Sequence, residues 1–477
     1  MIQFFRASDG VRLVFVLLLF LLPRLFVLLA TDWQTWEREF DWILVGEYLH
    51  EGRLLYVQTW EQIEPLTAWL YGVLYGAFGR HPLGYRVVAM LVCGVQLLLF
   101  QRAIADPDIY RERTLLPTFL FALLLHTHES FLLLSPTLLA LTFLLLALQI
   151  VFRLNEKTSV SVIFSLGGLL GVATLFFLGS FFFLLWALVG LATFRGTRLR
   201  EYLVLLYGYL LPLLLMGMYL YVRGTLGAAT DQLLVPLLGL GQWGAVLGIN
   251  FSGALLVGVL WLGLALGMVQ VLRTTSFVNF QTVRHQSMTV WVIFSLSGIF
   301  FTLNFTVYQH LLLLPAAAFF LTYLLLYPFR VWKRELAFSI YFLAVVFSFV
   351  QSTYTPFPMT AYTDYAQTVR LSDAPDFAGK RVWVLGDDPS FYQNNYAVMP
   401  YLNSRLLVLD LQRPQSYASL AVLAEQMLYF RPEIIVDPRD QFSLLLRRMP
   451  LLHDRYTYDA TQQVWHLKEK EENARAL

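Results

Sequence analysis

Long apolar runs dominate the chain from its start to about position 352, each ending in a short polar stretch. A helix that crosses a bilayer needs about 20 mainly apolar residues. The runs predict eleven helices, at 11–30, 83–104, 114–127, 134–153, 160–178, 180–195, 201–222, 250–272, 287–304, 309–329 and 335–352. One segment breaks this rhythm. "EREFDWILVGEYLHEGRLLYVQTWEQIEPLTAWLYG", residues 37–72, collects acids between two apolar stretches. In "FDWILVGEYLHEG", Phe40, Ile43, Leu44 and Tyr48 share one helical face while Asp41, Glu47 and Glu51 fall largely elsewhere, a pattern suited to a helix lying flat at the membrane surface. "PLTAWLYGVLYGAFG" follows as a second interfacial helix or partial span, with Pro65 placed for its first turn.

After residue 355 the pattern becomes that of a soluble chain. "RVWVLGDD", "RLLVLDL", "EIIVDP" and "VWHLKEK" read as short strands, and "SYASLAVLAEQMLYF" has helical spacing. The chain therefore divides into a transmembrane domain over 1–355, with its first loop at 31–82, and a small α/β domain over 356–477. The Gly386-Asp387-Asp388-Pro389 turn follows a strand end, where such sheets bind ligands, though its residues are also ordinary turn formers.

Composition agrees: 58% of residues are hydrophobic and 14% charged, far from the usual soluble make-up. The net charge of +2, with no basic arm or recognition motif, leaves no case for nucleic acid. The single cysteine, Cys93, excludes disulfides and cysteine-based metal sites. The first run, too long for a signal core and lacking a small-residue cleavage site, reads as a retained helix. Lys and Arg cluster at alternate loops, including Arg6 and Arg12, Arg102, Arg111 and Arg113, Arg195, Arg198 and Arg200, and Lys333 and Arg334. This bias predicts a cytoplasmic N-terminus and an external C-terminal domain, periplasmic if the membrane is a bacterial inner membrane.

The acid-rich loop then lies outside, and its carboxylates read either as a solvated face or as a general base held beside a lipid-borne substrate. Arg24 sits within the first helix, where it contacts a lipid phosphate or else snorkels or pairs with a loop acid. "HTHES" puts His126, His128 and Glu129 at the outer end of the third helix. They line a polar pocket, with a divalent metal as the less favoured reading, since no H-E-x-x-H spacing occurs. "NFTVYQH" brings Tyr308 and His310 to the same side, and the Gly-, Pro- and Trp-bearing stretch 229–248 suits a mobile lid.

The loop also carries Gly52, Tyr56, Pro65, Leu66, Trp69, Leu70, Phe78, Gly79 and Arg86 in an order that resembles the first loop of GT-C-type glycosyltransferases. That group includes the protein mannosyltransferases and the aminoarabinose transferases. "YQHLLLLPAAAFFLTYLL", with His310 and Pro315, resembles a later part of the group. Three positions depart from it. The residue 14 before Gly52 is Arg38, flanked by Glu37 and Glu39 with Asp41 nearby; Glu64-Pro65 replaces a Pro-Pro pair; and Ser135-Pro136-Thr137 stands where an Asp is common. The middle of the chain, with Arg195, Arg200, Glu201, Gly208 and Pro212, also resembles an uncharacterised family of Bacteroidetes multi-pass membrane proteins.

The GT-C resemblance implies transfer of a sugar from a polyprenyl-phosphate donor to a glycan, lipid or protein acceptor, with no cofactor, among membrane lipids. Asp41 or Glu39, then Glu37 or Asp32, would be the base. Arg86, Arg24 and His310 would hold the leaving phosphate, and Trp69, His126, His128, Glu129 and Tyr308 would line the substrate cavity. The alternative is a non-catalytic scaffold of envelope assembly or secretion that keeps the fold. A transporter ranks third, because no inverted repeat with broken helices is evident.

Overall fold

The structure is a computed structural model that describes residues 2–5, 9–30, 37–155, 158–195, 198–234, 251–274, 279–300, 306–326, 331–354, 377, 379–386, 389–400, 402, 417–438, 440–453, 455–460 and 464–468. Asp32, the strand expected at 405–411, the Asp387-Asp388 pair, most of the expected lid and the boundary near 355 lie outside them.

The principal helices are α1 (Gly10–Ala30), α2 (Glu37–His50), α3 (Pro65–Phe78), α4 (Pro82–Ala103), α5 (Leu116–Leu124), α6 (Pro136–Phe152), α7 (Val160–Phe176), α8 (Phe183–Arg195), α9 (Leu199–Val222), α10 (Leu226–Leu233), α11 (Phe251–Arg273), α12 (Asn279–Phe300), α13 (Leu314–Leu326) and α14 (Val331–Tyr354). Among the described residues, six helical stretches are long and apolar enough to cross a bilayer: Gly10–Leu29, Pro82–Ala103, Leu199–Val222, Gly253–Arg273, Val307–Leu326 and Val331–Tyr354. The chain is a multi-pass membrane protein.

Each of the eleven expected segments carries helix, but several are shorter than the apolar run suggests. The run at 114–127 yields only the nine residues of α5, all buried. At 1.5 Å per residue α5 is about 14 Å long, half a bilayer core. By itself it is shorter than a full span, and the apolar run continues into the turn at Glu129–Leu132. α6 and α7 have 17 residues each, while α12 begins at Asn279, eight residues before the apolar run does. Its early polar residues are used: Gln281 Nε2 donates to the Asp108 carbonyl at 3.0 Å, and Arg284 donates to that of Phe152.

Three apolar runs are interrupted by 3₁₀ turns, Glu129–Leu132, Leu178–Phe182 and Val307–Leu313. Each follows a residue in extended conformation: His128, Phe177 and Thr306. Backbone of this kind at membrane depth needs protein or a cavity around it, because lipid cannot satisfy its polar groups. All three turns lie on the face of the bundle that carries the first loop. Leu178 binds a residue of that loop, Tyr308 packs on Trp42 of α2, and the first turn packs on the third.

Small residues let neighbouring helices approach closely. A Cβ on Gly167 of α7 would lie 2.1 Å from the Leu205 carbonyl of α9, and one on Gly208 would lie 2.2 Å from the Phe164 carbonyl.

The C-terminal unit is a five-stranded sheet, β1 (Arg381–Val384), β2 (Tyr396–Ala397), β3 (Ile434–Val436), β4 (Tyr456–Asp459) and β5 (Val464–Leu467), in the order β2-β1-β3-β5-β4. β1 pairs in parallel with β2 and β3, with Val382 opposite Ile434, and β5 runs antiparallel to β3 and β4. α15 (Tyr417–Phe430) lies between β2 and β3 in the chain, as "SYASLAVLAEQMLYF" predicts a helix there. β2 and β4 were not apparent in the sequence.

α2 departs most from expectation. Its apolar face meets the sheet unit rather than lipid, and the helix is buried on both sides. Phe40, Leu44 and Tyr48 share a core with Val382, Val384, Tyr392, Ile434 and Val436 of the sheet unit. Trp42, Ile43 and Val45 belong to the core of the helical bundle. The helix is the layer between the two.

Candidate functional site

The polar groups expected in the first loop gather around α2, α3 and the start of α4. α2 and α3 pack closely because Gly46 allows it: a Cβ there would stand 2.6 Å from the Tyr71 carbonyl oxygen. At the loop's turn Gly52 has φ +84°, a backbone region that glycine enters without strain.

Three of the loop acids are paired with arginine. Glu39, wholly buried, meets Arg86 from α4, whose NH2 donates to Oε2 at 2.8 Å and whose Nε lies 3.2 Å from the same oxygen. Glu47 is held by Arg80 at 2.6 and 2.7 Å. The other terminal nitrogen of Arg80 donates to the carbonyls of Tyr392 at 2.8 Å and Asn395 at 2.9 Å, in the sheet unit. Glu51 pairs with Arg53 at 2.9 Å, and Arg53 lies 3.8 Å over the Tyr48 ring and donates to the Val398 carbonyl at 3.0 Å. Asp41 is partly exposed and points its charge at Tyr392, whose hydroxyl burial and that charge together push above its ordinary range. The side chain of Glu37 lies outside the described residues.

Beside the Glu39–Arg86 pair stands an aromatic wall. The Tyr71 ring stacks on Tyr85 with centroids 5.2 Å apart, and its hydroxyl donates to the Leu134 carbonyl at 2.9 Å. Trp42 lies 6.0 Å from Tyr71 and edge-on to Tyr308 at 5.5 Å. Next to Tyr308, His310 Nδ1 donates to the Val307 carbonyl at 3.1 Å, and the His310 turn packs against the turn that follows His128. His128 Nδ1 accepts the Ser130 N–H at 3.1 Å, and the Glu129 N–H donates to Ser352 Oγ of α14 at 3.0 Å. Glu39, Trp42, Tyr71, Tyr85, Arg86 and Tyr308 thus form one group, with His310, His128 and Glu129 adjoining it.

Other expected residues go elsewhere. Arg24 donates to the Leu125 and Phe131 carbonyls at 3.1 and 3.0 Å and lies 4.7 Å from the Phe20 ring. It is buried and, among the described residues, pairs with no loop acid; it braces the 125–131 turn. His126 has both ring nitrogens within hydrogen-bond distance of carbonyls, of Ala122 at 2.8 Å and Phe20 at 3.1 Å. Among the described residues no group of three His, Cys, Asp or Glu side chains could hold a metal ion. Trp69 packs edge-on against Tyr219 of α9 at 4.6 Å.

The sequence reading passed over Glu64 as a site residue. It precedes Pro65 at the start of α3, and its Oε1 accepts the N–H of Leu178 in the second 3₁₀ turn at 2.8 Å. Burial raises its carboxyl to about 7, against the opposing pull of that N–H. The signal was present: it is the one acid directly preceding a proline-led apolar helix in this loop. The neighbouring Thr67 hydroxyl donates to the Phe176 carbonyl at 2.9 Å, so α3 is fixed to the end of α7 at two points.

No protein-family model and no curated protein sequence matches this chain. Among solved structures it is similar to the archaeal oligosaccharyltransferase AglB from Archaeoglobus fulgidus, in complex with an inhibitory peptide and a dolichol-phosphate. The identity is 10%, the match covers 97% of this chain and 75% of that one, and the TM-score is 0.50. The likeness is one of fold, and it gives the chain a GT-C-like architecture: a polytopic helical domain followed by a small α/β unit.

Proposed function

We propose that the protein is a glycosyltransferase that moves a sugar from a polyprenyl-phosphate donor to an acceptor on the outer face of a bacterial inner membrane, its N-terminus cytoplasmic and its α/β domain outside. The observation that carries this reading is the fold match along 97% of the chain to an enzyme whose structure holds a dolichol-phosphate and a peptide. The polar group on the loop face supports it. In this reading the acceptor oxygen attacks the anomeric carbon, the bond from that carbon to the phosphate oxygen breaks, and polyprenyl phosphate departs with the electron pair. A loop carboxylate takes the acceptor proton, and Arg86, His310 and His128 stabilise the phosphate as charge develops. Glu39 sets the direction of the Arg86 guanidinium. Arg24, spent on two carbonyls, holds the 125–131 turn instead.

A second reading also has a specific support. Glu39 and Glu47 are each neutralised by an arginine, as docking contacts would be in a non-catalytic scaffold of envelope assembly or secretion. One experiment separates the two. The gene is deleted, polyprenyl-phosphate sugars in the lipid extract are quantified by mass spectrometry, and the strain is complemented with wild type or Arg86→Ala. Under the transferase reading one sugar-lipid accumulates and only wild type clears it. An unchanged sugar-lipid profile in the deletion strain overturns it in favour of the scaffold.

A further inference from the structure

We propose that Glu64 is the general base of this site, taking the proton from an acceptor hydroxyl, in place of the acids around Arg38. The proposal rests on the glycosyl-transfer reading above and names the residue that reading leaves open.

A comparison with the arginine-paired loop acids comes first. Glu39, Glu47 and Glu51 each hold an arginine at 2.6–2.9 Å, so their carboxylates are committed to those contacts. Glu64 is held differently. Its carboxylate is held by backbone N–H groups, that of Leu178 at 2.8 Å and its own. Neutral donors fix a carboxylate without the full positive charge that disfavours its protonation. That its carboxyl sits near 7 suits it to general-base work at physiological pH, where catalytic acids and bases are most effective.

Placement gives the second argument. Pro65 starts α3 directly after Glu64, which pins the carboxylate to the helix end. The turn it binds packs through Gly179 against Gly298 of α12, where each glycine carbonyl would stand within 2.7 Å of a Cβ on the other. α12 in turn packs on the third 3₁₀ turn, which carries Tyr308 and His310. Glu64 is therefore on the same face of the bundle as the proposed phosphate contacts.

Its surroundings give the third. Thr59 Oγ1, Gln232 Oε1 and Ser180 Oγ are all buried and make no hydrogen bond among the described residues. They belong to segments around its neighbours Tyr56 and Leu178: Thr59 closes the loop turn by accepting the Tyr56 N–H, Gln232 Nε2 donates to the Tyr56 carbonyl at 2.6 Å, and Ser180 lies two residues past Leu178. Buried hydroxyl and amide oxygens with open valences suit a polyhydroxylated ligand, a sugar or a glycan acceptor. In the step, the acceptor O–H bond breaks and its proton passes to Glu64. The oxygen forms a bond to the anomeric carbon, and the phosphate leaves as described.

The test uses the full chain in its own membranes. Glu64→Gln keeps an oxygen for the Leu178 N–H and removes the base, so a purely structural role predicts little change. The variant, present at wild-type level, should accumulate the sugar-lipid of the deletion strain and release polyprenyl phosphate about 10²–10⁴-fold more slowly, the usual worth of a general base. The wild-type release rate, followed in isolated membranes from pH 5 to 9, should rise through about 7 and level off. This second measurement does not depend on the variant folding. A Glu64→Gln strain that clears the sugar-lipid normally, or a wild-type rate flat across that window, overturns the proposal and leaves the transferase reading standing. A deletion strain with no sugar-lipid change overturns both.

Discussion

Arg80 grips Glu47 with two nitrogens at 2.6 and 2.7 Å while its third reaches the carbonyls of Tyr392 and Asn395, so one guanidinium ties the loop helix to the sheet unit. The pair is mostly buried, with side chains 22% and 6% exposed. Truncating one partner of a hydrogen-bonded charge pair at an interface costs about 2–5 kcal/mol. Arg80→Ala should therefore weaken docking of the C-terminal unit and raise hydrogen exchange in residues 392–400 well before the bundle is affected. Exchange mass spectrometry of the detergent-solubilised protein reads this directly, and unchanged protection of that segment would contradict it.

The Glu39–Arg86 pair makes a sharper case, being more deeply buried. Removing one member strands a charge and costs about 3–5 kcal/mol, whereas removing both is far milder. Glu39→Gln and Arg86→Met should each be strongly destabilising alone, and the double variant should recover much of the loss. A double-mutant cycle by thermal unfolding checks this. Additive effects would mean the two charges do not depend on each other.

Gly46→Ala puts a methyl group 2.6 Å from the Tyr71 carbonyl oxygen, and backbone cannot yield as a flexible side chain can. Overpacking of this kind costs about 1–3 kcal/mol. The variant should lower the unfolding temperature and loosen the α2–α3 contact. Gly94→Ala, with nothing within 4 Å of its Cβ, is the control and should be silent.

Stability should also titrate with Glu64. Its carboxyl has an ordinary value of 4.5 and rises to about 7 in the folded protein, so folding favours the protonated form. This contribution is fully present below 4.5 and is lost as pH rises through 7. Wild type should thus lose stability across that window relative to Glu64→Gln, which has no proton to release there. Parallel pH-dependent melting curves for the two proteins would disprove the shift.

Hydropathy made the membrane bundle legible, because lipid enforces long apolar runs wherever a helix faces it. It does not mark where the helix inside an apolar run ends, so α5 is shorter than the run at 114–127. The amphipathic pattern of α2 was visible, yet what covers its Phe40, Leu44 and Tyr48 face lies in strands distant in sequence. The loop acids looked alike in composition. Their differences arise from partners that no local pattern specifies, Arg86 for Glu39, Arg80 for Glu47 and the Leu178 N–H for Glu64. Arg24 was legible as a buried cation, but its carbonyl partners depend on where a 3₁₀ turn happens to fall.

The sandwiched position of α2 sets an order on biosynthesis. The Tyr48 hydroxyl donates to the carbonyl of Met399, 351 residues further along. At about 5–20 residues per second, the ribosome needs roughly 20–70 s to bridge that interval. Throughout it, the bundle can be inserted but the far side of α2 has no sheet to cover it. The apolar stripe that the sequence shows as suited to a lipid surface is uncovered until the last strands arrive. Chains truncated before residue 381 should therefore leave that stripe open to the bilayer.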